Sequence, residues 1–92
     1  MIKSFKHKGL RRLFEADDRR GLNAEHVDKI KLILLALDSA ETIEAMSVPS
    51  FRLHPLTGDL KGYWSVAVRA NWRITFRLET GNALDVNLVD YH

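Results

Sequence analysis

The stretch Gly62-Tyr63-Trp64-Ser65-Val66-Ala67-Val68-Arg69-Ala70-Asn71-Trp72-Arg73-Ile74-Thr75-Phe76-Arg77-Leu78 decides the architecture. Trp72, Ile74, Phe76 and Leu78 alternate with Arg73, Thr75 and Arg77, the period-two pattern of a strand with one face buried and one turned to water. Gly62 to Val68 reads as the strand before it, and Leu84, Val86 and Leu88, alternating with Asp85 and Asn87, as the strand after it. Arg69-Ala70-Asn71 and Thr80-Gly81-Asn82 supply tight hairpin connections. Further upstream Phe51 and Leu53 alternate with Arg52 and His54, which predicts a first strand there. Strands that alternate this cleanly belong to an antiparallel sheet covered on one face.

The cover lies in the first half of the chain. Leu10, Leu13 and Phe14 fall at i, i+3, i+4, with Lys8, Arg11, Arg12 and Glu15 on the other side, predicting a basic amphipathic helix that stops near Arg19-Arg20-Gly21. Asn23 is placed to cap a second helix with Glu25 in its first turn. Val27, Ile30, Ile33, Leu34 and Leu37 form that helix's buried face. Leu32 and Leu35 lie opposite, and are expected to pack against the first helix in an αα-hairpin. Ile2 to Phe5 alternate weakly and could make a short strand. The predicted fold class is α+β: two N-terminal helices packed on a small antiparallel β-sheet, as a single domain over 1–92.

Composition sets limits on function. The chain has 92 residues, 46% apolar and 28% charged, the values of an ordinary globular domain. At this size the core is thin, so a deep cofactor cavity is not expected and no cofactor is assigned. Cysteine is absent, which removes disulfides, thiol catalysis and Cys-based zinc sites and fits a reducing cytoplasm. No apolar run reaches the roughly 18–20 residues of a spanning helix, and no secretory h-region follows Met1, so neither secretion nor a membrane role is expected. Net charge is +2 overall but +4 over residues 1–22, −3 over 23–50 and +1 over 51–92. That net is too small for tight binding of free nucleic acid through counterion release. An RNA target would need something else to hold it.

The polar row of the sheet carries Arg73, Thr75 and Arg77, with Arg52 and His54 as neighbours from the first strand. Such a row can take phosphates, and a merely solvated strand face would look the same. Of four histidines, His7 and His26 have no spaced acid or base partner, while His54 precedes Pro55 and His92 follows Asp90 and Tyr91. No metal is assigned, since no local spacing such as HxxxH brings ligands together. Neither a Gly-x-Ser-x-Gly elbow nor a phosphate loop is present.

Five segments in order, Met1 to Leu10, Leu53-His54-Pro55-Leu56-Thr57-Gly58-Asp59, Gly62 to Val66, Arg69 to Phe76 and Asp90-Tyr91-His92, resemble the HigB toxins, the host-inhibition-of-growth branch of the RelE-like superfamily. The resemblance spans essentially the whole chain. It implies a toxin of a type II toxin–antitoxin system that cleaves mRNA in the ribosomal A site. It also implies neutralisation by a HigA-type helix-turn-helix antitoxin in a hetero-oligomer. The catalytic residues it implies are His54, Arg73, Asp90, Tyr91 and His92, with Lys61, Arg52 and Arg77 as further phosphate-binding candidates. One position departs: several relatives have Lys where this chain has Thr57, so a cationic role there falls to Lys61 or Arg73 or is missing.

The residue types suit metal-free RNA cleavage. The 2′-OH attacks, so a base must take its proton, an acid must protonate the leaving 5′-oxygen, and a cation must stabilise the phosphorane. Imidazole, with an unperturbed pKa of about 6.5, suits both proton transfers, and Arg73 suits phosphate clamping through its fork. The α-carboxylate of His92 and Asp90 are expected to favour imidazolium at His92, as a general acid requires. Two other readings stand beside this one. A non-catalytic RelE-like toxin would act by binding a protein such as DNA gyrase, and a degenerate toxin would only bind its antitoxin.

Overall fold

The computed structural model describes residues 1–90; Tyr91 and His92, both named above as site candidates, lie outside the described residues. Two helices, α1 (Lys8–Ala16) and α2 (Val27–Ser39), cover one face of a sheet built from β1 (His54–Pro55), β2 (Trp64–Arg69), β3 (Trp72–Glu79) and β4 (Asn82–Asp90). The strand order is β1-β2-β3-β4 and every neighbouring pair is antiparallel. This is the α+β class expected from the period-two stretch. Ile74, Phe76, Val66 and Val86 are fully buried from the sheet side, and meet Leu10, Leu13, Ile30, Ile33, Leu34 and Leu37 from the helices.

Helix α1 starts on an uncommon cap. The Nδ1 atom of His7 accepts from the Leu10 N–H at 3.1 Å, occupying the place usually given to a short polar side chain. Gly9 is required beneath it, since a Cβ there would come within 2.8 Å of the imidazole. The helix ends at Ala16, earlier than the Arg19-Arg20-Gly21 stop expected, because Asp17 turns into the left-handed region at φ 52° and its N–H closes on the Leu13 carbonyl. Asp18 and Arg20 then pair with each other at 2.7 Å beyond the helix.

Helix α2 also begins later than expected. The Asn23 side chain accepts from Glu25 N–H at 2.9 Å and its carbonyl from His26 N–H, so Asn23 builds the turn before the helix and the N-cap position falls to His26. His26 is buried against the Trp72 ring at 6.0 Å. The buried face is the one read from the sequence. Leu32 and Leu35 correct it: they are 55% and 63% exposed, because α1 covers only the flank of α2 that carries Leu34. Leu13, Phe14, Lys31, Leu34 and Leu35 border a small open cleft of about 90 Å³ between the helices.

Two strand expectations are also corrected. Residues 51–54 are not a strand, since Pro49–Phe51 forms a 3-10 turn and Arg52 sits at φ 49°, leaving only His54 and Pro55 to pair with β2. At the N-terminus Ile2 and Phe5 make isolated parallel bridges to Ala83 and Val86 rather than a strand of their own. A bulge in β4 between them explains the break. Asp85 adopts φ 55° there, and its N–H donates to the Ser4 hydroxyl at 2.8 Å instead of to a backbone carbonyl. The terminal segment still covers the outer edge of β4, an edge that would otherwise be open to pairing.

The His7 cap yields a pH prediction. Burial first, and the nearby Arg12 charge second, hold the His7 pKa below its ordinary 6.5. A group whose folded pKa is depressed contributes stability above its unfolded value, and loses it as pH falls toward the folded one. In thermal melts, wild-type stability is therefore expected to drop below pH 6.5 relative to His7→Asn, which keeps a cap acceptor but does not titrate. Parallel curves would contradict the cap.

Candidate active site

The uncovered face of the sheet is a polar row with a buried floor. His54 pairs with Ser65, Ser65 with Thr75, and Thr75 with Asn87, so these four lie side by side across all four strands. Ser65 and Thr75 are only 1% and 6% exposed, although they alternate away from the buried Val66, Ile74 and Phe76. Arg73 Nη1 donates to the Ser65 hydroxyl at 3.3 Å. His54 itself is exposed. Ser65 thus lies across the β1–β2 ladder from one candidate, His54, and bonds the guanidinium of another.

Arg73 also borders a groove of about 360 Å³ at the end of the sheet where β2 turns into β3. Ala67, directly across the ladder from Arg73, lies in this groove together with Arg52, Arg69, Lys29 and Ser50. Four cations from four parts of the chain therefore share one depression. Within it Lys29 Nζ donates to the Ser50 carbonyl at 3.0 Å, and Arg69 pairs with Glu25 at 2.8 Å.

The other candidates fall elsewhere. Arg77 lies about 13 Å further along β3 at roughly 3.3 Å per residue, and its guanidinium bonds both Asp85 and Glu79. Tyr63 completes that cluster, its hydroxyl donating to Asp85 at 3.0 Å, with Lys6 and Arg77 at 5.5 and 5.7 Å from its ring. The Tyr63 hydrogen bond, followed by Arg77, holds the Asp85 carboxyl below its ordinary value despite some desolvation. Asp85 stays charged and keeps Arg77 occupied.

Lys61 and Thr57 are exposed on the loop that follows β1, flanking a 3-10 turn over Gly58–Leu60, and no carboxylate pairs with Lys61 among the described residues. Asp90 ends β4 opposite Trp72, a register position that alternates away from the Arg73 row. Among the described residues no three His, Asp or Glu side chains converge as metal ligands would. Sequence reasoning missed Ser65 and Ala67, although strand alternation places both on the Arg73 face. It also missed Lys29 and Arg69, which no local pattern connects.

Comparison with known proteins adds a second line of observation. Residues 3–92 match the family model described as the RelE-like toxin of type II toxin–antitoxin system HigB. The chain is 52% identical over 92 residues, the whole of both chains, to Endoribonuclease HigB of Proteus vulgaris. It is 31% identical over 90 residues to Toxin HigB-1 of Vibrio cholerae, covering 96% of this chain and 95% of that one. Among solved structures, a variant of YafQ from E. coli superposes with a TM-score of 0.63 at 18% identity, covering 98% of this chain and 91% of that one. A chain of the YoeB–YefM toxin–antitoxin complex from Staphylococcus aureus gives 0.63 at 17% identity, covering 100% and 95%. These two structural likenesses bear on the fold alone.

The contrast between Arg73 and Arg77 can be measured. On titration with inorganic phosphate, the side-chain Nε–H resonance of Arg73 is expected to shift, while that of Arg77, held by Asp85 and Glu79, stays in place. Equal shifts would mean that the carboxylates do not occupy Arg77.

Proposed function

The chain belongs to the HigB-like family of RelE-like toxins of type II toxin–antitoxin systems, and from that premise we propose that it is a ribosome-dependent, metal-independent mRNA endonuclease acting in the A site. The observation that carries the reading is that His54 is the ladder partner of the buried Ser65, whose hydroxyl Arg73 bonds, in a chain 52% identical to a protein named Endoribonuclease HigB. A proton-transfer group and a phosphate clamp on either side of one central strand, β2, are what cleavage through the 2′-OH requires.

In this mechanism Arg73 binds the scissile phosphate and stabilises the phosphorane through its guanidinium fork. Its hydrogen bond to the buried Ser65 hydroxyl orients the guanidinium before substrate arrives. His54 and His92 carry the two proton transfers, Asp90 supports the imidazolium form, and Tyr91 stacks on a base. Lys61 supplies positive charge from the loop where this chain has Thr57. Arg77 acts indirectly, fixing the bulge of β4 through Asp85. The net charge of +2 suits an enzyme to which the ribosome delivers and aligns the message.

The partner is a HigA-type antitoxin in a hetero-oligomer. The exposed Leu32 and Leu35 give the helical layer an apolar docking face on the side away from the sheet's polar row. Leu35→Asp is expected to weaken antitoxin binding, read by calorimetry, and to leave cleavage intact. Unchanged affinity would move the contact elsewhere.

The decisive experiment exposes ribosomes programmed with a defined message to wild type and to His54→Ala, Arg73→Ala and His92→Ala, and maps the new 5′ ends. Wild type is expected to give discrete in-frame cuts and little cleavage of naked message. Each variant should lose about a hundred- to ten-thousand-fold in rate. Identical cuts in a variant would remove that residue from the site, and strong cutting of naked RNA would remove the ribosome dependence.

A further inference from the structure

The groove beside Arg73 contains more positive charge than cleavage of one phosphodiester uses. Lys29, Arg52, Arg69 and Arg73 surround a space of about 360 Å³, floored in part by the methyl group of Ala67. A longer side chain at Ala67 would fill that space. Lys29 is steadied at the rim by the Ser50 carbonyl and lies 5.8 Å from the Phe51 ring. Arg69 is held by Glu25, 44 residues away in sequence, with the two side chains 63% and 69% exposed. A carboxylate bonded to an arginine at 2.8 Å carries the single negative charge of a phosphodiester and, like it, offers two acceptor oxygens. An exposed pair of this kind is weakly held and can be displaced.

We infer that this groove binds the sugar–phosphate backbone of an RNA strand next to the scissile linkage, with Lys29 and Arg69 taking a second phosphate and Glu25 holding Arg69 in position until RNA displaces it. The inference rests on the nuclease reading, because Arg73 is common to the scissile phosphate and the groove. Contacts of this type go to the backbone, so they fix register and orientation and read no bases. Glu25 competes with the ligand for Arg69. Its removal therefore strengthens binding, and loss of Arg69 or Lys29 weakens it, an opposition of sign that general destabilisation does not produce.

The test measures kcat and KM on programmed ribosomes for wild type, Lys29→Ala, Arg69→Ala and Glu25→Gln, with Arg20→Ala, an exposed cation paired with Asp18 near α1, as the control. Thermal melts confirm that each variant is folded. Lys29→Ala and Arg69→Ala are expected to raise KM about tenfold with the loss confined to KM; Glu25→Gln lowers KM, and Arg20→Ala matches wild type. KM values equal to wild type in all three groove variants, or a fall in kcat alone, would overturn the inference.

A message with one neutral methylphosphonate linkage beside the cut identifies the source of the phosphate. If the message supplies it, that linkage raises KM for wild type and not further for Arg69→Ala. If ribosomal RNA supplies it, the linkage has no effect and Arg69→Ala still raises KM. A binding measurement separates the inference from the nuclease reading. With a single-stranded RNA oligonucleotide at low salt, fluorescence anisotropy is expected to rank the variants in the same order. The slope of log affinity against log salt should fall by about 0.7 for each phosphate that a variant no longer neutralises. An uncut message with this ranking intact would refute catalysis alone; equal oligonucleotide affinities would refute the groove.

Discussion

The alternation of β3 is the constraint on which the rest of the molecule depends. Ile74 and Phe76 are completely buried on one side, and Arg73 and Arg77 come up on the other, so a shift of one residue would put guanidinium groups into the core. That cost fixes the register of β2 and β4 on either side. It also fixes which polar residues share the uncovered face. The core and the candidate site are therefore two sides of one strand, and a site built on that strand takes its rigidity from the packing behind it.

The same face divides its arginines between two kinds of work. Arg77 is surrounded by Asp85, Glu79 and the Tyr63 ring, and holds together the bulge where the N-terminal segment meets β4. Arg73 bonds a neutral hydroxyl and faces an open groove. The difference comes from the bulge at Asp85, where the β4 backbone turns left-handed and a carboxylate bonds Arg77. Two residues identical in type and in period thus have different partners, a neutral hydroxyl for Arg73 and two carboxylates for Arg77.

Much of this was legible along the chain. The buried face of α2, the two hairpin turns, the alternation of β3 and the covered sheet all follow from spacing that is local to a few residues. The boundaries that shifted did so where a backbone conformation overrode composition. Asp17 and Arg52 both enter the left-handed region, ending α1 early and breaking the strand expected over 51–54. Asn23 was a sound capping residue in the wrong turn. Leu32 and Leu35 look like core from their type, yet α1 is too short and too far to one side to cover them.

Sequence by itself determined the fold class, the family and the types of residue available for chemistry, because periodicity and motif are properties of neighbours in the chain. His54 and Arg73 could be named from it. That both are neighbours of Ser65, one through the ladder and one through its hydroxyl, and that Arg77 is taken up by Asp85, was decided by tertiary structure alone. So was the gathering of Lys29, Arg52 and Arg69 around Ala67. The reason is physical: helix α2, the 3-10 turn before β1 and the β2–β3 hairpin are each stable only when packed on the common core, and it is that packing that brings their cations into one groove.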